Sequence, residues 1–206
     1  MRRTSMFVLA VLGLAGGLRA GPPAVCWPVE VGDAKVLPEG DRALAGDPDR
    51  VVEETLKLLD GSSPVLARME TLRRAALYLS DSGAGRNALS RALALRVLDA
   101  EADGKPAALA WFDAGYATGC FEQLRGDRSP RGYRWVRHAN ELAKGDARME
   151  YACCLLTLMD GPKLFAAHLA KAEAGAAADP LLAANLAELA KLAPAVLRYF
   201  EEQARK

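Results

Sequence analysis

From Asp47 onward the chain is a succession of apolar-periodic segments, most of them opened by a proline, and this pattern leaves little room for anything but helices. Asp47-Pro48, Ser63-Pro64, Lys105-Pro106, Gly161-Pro162, Asp179-Pro180 and Ala193-Pro194 each stand just before such a segment. Proline fits the first turn of a helix, where its missing N–H would have had no partner, and Asp or Ser before it can accept from the free donors. The segments predict helices near 48–59, 63–80, 86–102, 105–124, 132–144, 146–160, 162–174, 180–192 and 194–205. Short linkers then set neighbouring helices antiparallel. In the second helix Val65, Met69, Leu72, Ala76 and Leu79 form the apolar stripe, with Arg68, Glu70, Thr71 and Arg73 at polar positions. In 105–124, Leu109, Phe112, Tyr116 and Cys120 line one face, and Ala114, Gly115, Ala117 and Gly119 keep its flanks small. Such a helix accepts neighbours on more than one side and belongs in the middle of a stack. An excess of Ala and Leu over β-branched residues points the same way, to an all-α fold.

The first 46 residues obey different rules. Met1-Arg2-Arg3 followed by the uncharged run Met6–Leu18 has the form of a secretory signal peptide over 1–20, cleaved after Gly17 or Ala20. Its apolar run is shorter than the roughly 20 residues a membrane span needs. Residues 21–46 hold Pro22, Pro23, Pro28, Pro38 and several glycines, so they predict an irregular arm in front of a helical domain over 47–206. Val25, Trp27, Val29 and Val31 alternate, which suits a strap laid on the helices and pinned by Trp27. Without residues 1–20 the 27 basic residues fall to 24 against 26 acidic ones, a mature net charge of about −2. The expectation is an exported protein, periplasmic or extracellular, with no global pull toward nucleic acid or anionic membrane.

The densest local chemistry is basic. Arg125, Arg128, Arg131, Arg134 and Arg137 recur every three residues up to His138, with Asp127 the one acid among them. Planar guanidinium groups pair well with carboxylates or phosphates, so this stretch is a candidate surface for an acidic partner. Trp111, Tyr116 and Tyr151 are candidate aromatic contacts for the same protein or peptide partner. His138 and His168 have no Cys or Glu at metal-ligand spacing, which predicts no metal site. Cys26, Cys120, Cys153 and Cys154 read either as small buried apolar residues or as disulfide partners within an exported fold. Nucleophile elbows and phosphate-binding glycine loops are absent from the sequence, so neither a cofactor nor catalysis is expected. Two alternatives stand beside a binding role. One is a small all-α enzyme whose pocket draws on His138, Asp113 and Glu122; the other is an envelope structural protein held by an uncleaved leader.

Paired helices also repeat faintly. The turn positions Pro106, Ala147 and Pro180 lie 41 and 33 residues apart. Ala152, Gly161, Ala167, Ala170, Ala172 and Pro180 follow the small-residue and terminal-proline pattern of a repeat of about 34 residues, and Trp111, Gly115 and Tyr116 echo its first helix. Over about residues 86–192 the chain resembles tetratricopeptide proteins. The resemblance implies a short solenoid of stacked antiparallel helix hairpins and a scaffold for protein or peptide binding.

Overall fold

Local capping marks where several of the helices start. The structure, a computed structural model, describes residues 27–127, 129–158 and 162–191. Its helices are α1 Arg42–Ala45, α2 Pro48–Leu58, α3 Val65–Tyr78, α4 Gly83–Ala102, α5 Ala108–Leu124, α6 Arg131–Leu142, α7 Ala147–Thr157 and α8 Pro162–Ala176. Residues 180–191 are also helical and form α9. No strand occurs among the described residues, and the chain is all-α. The leader, Cys26, Arg128 and the helix expected over 194–205 lie outside the described residues.

Asp47, Ser82 and Asp146 accept from backbone N–H groups in the first turns of α2, α4 and α7. Asp179 does the same for Leu182 in α9. Because Ser82 is the cap, α4 starts at Gly83, three residues ahead of expectation. Ser63, expected to cap α3, instead donates its hydroxyl to the Leu58 carbonyl. The turns after α4 and α5 close on Gly104 and Gly126, at φ of 64° and 65°, a backbone shape that glycine adopts without strain.

Three helices make the interior. Val65–Arg73 of α3, Phe112–Ala117 and Gly119–Glu122 of α5, and Met149–Thr157 of α7 are buried. These helices pack on one another pairwise. Outside them, α2 lies on α3 and α4, α4 on α5, α6 on α5 and α7, and α8 on α7. The expectation that 105–124 is central holds, because α5 touches α3, α4, α6 and α7. The reading of α3 as one apolar stripe with a polar back is corrected. Arg68, Glu70, Thr71 and Arg73 are buried like Met69 and Leu72, because the Val65–Arg73 stretch of α3 is covered on every side.

Small residues set the tightest crossing. A Cβ on Gly115 would come 2.7 Å from the Val136 amide nitrogen. A Cβ on Gly132 would come 2.8 Å from the Gly115 carbonyl oxygen, and closer still to the backbone of Gly119. Helices α5 and α6 therefore touch backbone to backbone.

The arm is a strap, as expected, with Val29, Leu37 and Leu44 buried and Trp27 half-buried against the core. It is not irregular throughout. Asp41 accepts from the Ala43 and Leu44 amides and winds one turn, α1, before α2.

Candidate functional site

The basic stretch and Trp111 meet on the outer side of α5 and α6. The rings of Trp111 and Trp135 stand edge to face at 5.8 Å, and those of Trp111 and His138 at 5.0 Å. Edge-to-face pairs of this kind contribute about 0.5–1.5 kcal/mol beyond their buried area. The Trp111 indole N–H donates to Glu101 at the end of α4. Arg134 and Arg137 are exposed on α6, each next in sequence to one of the ring residues. Arg137 leans on Glu141 at 3.4 Å, and Arg134 has no ion-pair partner among the described residues.

The described arginines of the stretch, Arg125, Arg131, Arg134 and Arg137, do not act as one row. Arg125 turns to Asp127, and Arg131 turns inward to the buried Glu122 carboxylate, which also accepts from the Gly132 N–H at the start of α6. Tyr116 and Tyr151, named as aromatic contacts, are only 1% and 3% exposed, so they offer a partner no surface. The cause is their placement on the buried stretches of α5 and α7, Phe112–Ala117 and Met149–Thr157. Trp135 was the aromatic residue to name instead. Its spacing of three from His138 on α6 was the available signal.

His138, Asp113 and Glu122, the trio proposed for a catalytic pocket, are not brought together. His138 faces Trp111 and Glu141, Glu122 caps α6, and Asp113 faces Arg68. Arg68 reaches Asp113 at 2.6 Å and also donates to the carbonyls of Ser63 and Asp60, so its charge is held from three directions. The second Asp113 oxygen is buried and has no hydrogen-bond partner among the described residues. Burial, only partly offset by Arg68 and Arg96, pushes the Asp113 carboxyl up to about 7. A carboxyl raised in the folded state gives stability that is complete below its ordinary 3.8 and is lost as pH rises toward 7. Asp113→Asn removes that slope. Urea unfolding between pH 4 and 7 should show the variant gaining on the native chain as pH rises, and parallel curves would exclude the effect.

Sequence reasoning passed over a second polar cluster. The Tyr133 hydroxyl lies 3.0 Å from His168 Nε2, and His168 Nδ1 lies 2.5 Å from Glu150. Glu150 also accepts from Asn140 and Lys171. The order carboxylate, imidazole, hydroxyl is that of a proton relay. Tyr133 is 9% exposed and Glu150 and His168 6% each, so the cluster braces α6, α7 and α8 from within. Cys120, Cys153 and Cys154 are free and buried. Burial pushes the Cys120 and Cys153 thiols up to about 12, which leaves them protonated and unreactive at neutral pH.

Among the described residues no group of three or more His, Cys, Asp or Glu side chains is placed to share a metal ion, and no helix is long and apolar enough to cross a membrane. Comparison with known proteins gives no match to any family model, curated protein or solved structure.

Proposed function

We propose that this chain is an exported, non-catalytic helical scaffold that binds a protein or peptide through the outer face of α5 and α6. The observation that carries the reading is the Trp111–Trp135–His138 ring cluster, built partly from α6, the helix that also exposes Arg134 and Arg137. Aromatic and arginine side chains dominate the energetics of protein interfaces, and the two arginines favour an acidic partner. The faint repeat over about residues 86–192 favours a short tetratricopeptide-like stack. Export rests on the form of residues 1–20.

The test is capture from the envelope fraction, with native and variant chains compared side by side. Arg134→Glu with Arg137→Glu should cut capture of an acidic partner by about tenfold or more, and Trp111→Ala by about thirtyfold, the effect of losing a hot-spot residue. Equal capture by folded variants would retire this face.

A further inference from the structure

Helix α4 is apolar on two opposite sides, and the chain itself uses only one of them. Leu89, Leu93 and Val97 are buried where the helix packs on α2 and α5. On the far side Ala84, Ala88, Arg91, Leu95, Leu98 and Ala102 recur at alternating intervals of four and three residues, and all six are exposed. That spacing is the seam of a two-stranded coiled coil. Leu95 is 48% exposed and Leu98 60%, so nothing within the chain covers the seam. A single exposed leucine needs no explanation, whereas a seam of roughly five turns with one charge in it does.

Size and charge along the seam select its occupant. The seam is small in its first half, at Ala84 and Ala88, and large in its second, at Leu95 and Leu98. A second copy laid antiparallel seats each Leu98 on the Ala88 of the other copy, large against small. Arg91 sets the direction. A parallel pair would bring two Arg91 side chains together in the seam. The antiparallel pair places Arg91 opposite the other copy's Leu95, one turn or about 6 Å along the axis from its Asp99. Arg91 and Asp99 are both exposed, and neither has an ion-pair partner among the described residues. Eight residues apart on one helix, they cannot reach each other within a copy. We propose that α4 is the interface of a homodimer, two copies pairing antiparallel along Ala84–Ala102 with Arg91 of each beside Asp99 of the other. The twofold axis makes that ion pair occur twice. This interface is separate from the α5–α6 face and stands whether or not that face binds. One helix pair is a small interface, so the dimer dissociates in the micromolar range.

Sedimentation equilibrium between about 1 and 200 µM protein is the test. The native chain should fit a monomer–dimer equilibrium, and Leu98→Glu should weaken it at least about tenfold. Arg91→Glu and Asp99→Arg should each weaken it about tenfold, because each variant's dimer holds two like-charge pairs. An equimolar mixture of those two variants should regain dimers of native strength, since every charge then meets its opposite. All three positions are exposed, so the variants keep the native fold, which unchanged circular dichroism spectra verify. A native chain that stays monomeric throughout overturns the proposal, as does a dimer that Leu98→Glu leaves intact. So does a monomeric chain that loses capture of another envelope protein on Leu98→Glu, since the seam would then serve a different partner. A mixture no stronger than either charge variant alone rejects the antiparallel pairing.

Discussion

Gly132→Ala is expected to lower the melting temperature by about 6–12 °C, corresponding to a loss of about 3 kcal/mol in a chain of this size. One methyl group has this effect because nothing at the crossing can yield. The added carbon would press on the Gly119 and Gly115 backbone, part of a helix already held by α3, α4 and α7. A clash with a side-chain tip is relieved by a rotamer change, whereas a clash with a helix backbone must move the whole helix. Gly61→Ala is the matched control, since a Cβ there meets nothing within 4 Å. It should leave the melting temperature unchanged or slightly higher. Thermal unfolding followed by far-ultraviolet circular dichroism reads both. Equal behaviour of the two variants would mean that α5 and α6 do not meet at their backbones.

Glu70→Ala should cost about 3–5 kcal/mol, the loss expected when one member of a buried charge network is removed. Glu70 is fully buried, and its two oxygens accept from Arg73, Arg74 and the Val29 N–H. Burial alone would raise its pKa. The hydrogen bonds from Arg73, Val29 and Arg74 outweigh burial and hold the carboxyl below its ordinary 4.5. Its contribution is therefore present above pH 4.5 and is lost as pH falls through the lowered value, opposite in sign to that of Asp113. Glu70→Gln keeps the shape and removes the titration. Denaturant unfolding from pH 7 down to pH 3 should show the native chain losing stability on the acid side and the Gln variant losing less. An unchanged acid limb would place the acid sensitivity elsewhere.

Helix positions were legible because their signals are local. Asp47-Pro48 and Asp179-Pro180 are start signals complete within a few residues, and α2 and α9 begin there. The small flanks of α5 announced close neighbours, and Gly115 and Gly119 meet them. What could not be read depends on partners distant in sequence. A polar residue on a helical wheel reads as solvent-facing unless its counter-charge is known, and Arg68 finds Asp113 45 positions away. Tyr116 and Tyr151 were assigned to a surface because periodicity shows one apolar face and not how many helices will cover the others. Of the candidate site, the Arg134, Arg137, His138 and Trp111 face was legible, since neighbours on one helix and a bulky ring nearby need little tertiary knowledge. The contacts that hold the arm were not, because Glu70, Tyr78 and Asn185 reach it from positions 41, 37 and 155 residues along the chain.

The clasp between Glu30 and Asn185 joins residues 155 positions apart. Asn185 follows Glu30 by that distance, so the Glu30 end of the arm has no Asn185 to hold it until α9 has been made. Closing so long a loop follows the short-range pairing of α5 with α6 and of α7 with α8. The tie at Glu30 is therefore expected to be among the last contacts to form, well after the helix pairs it spans.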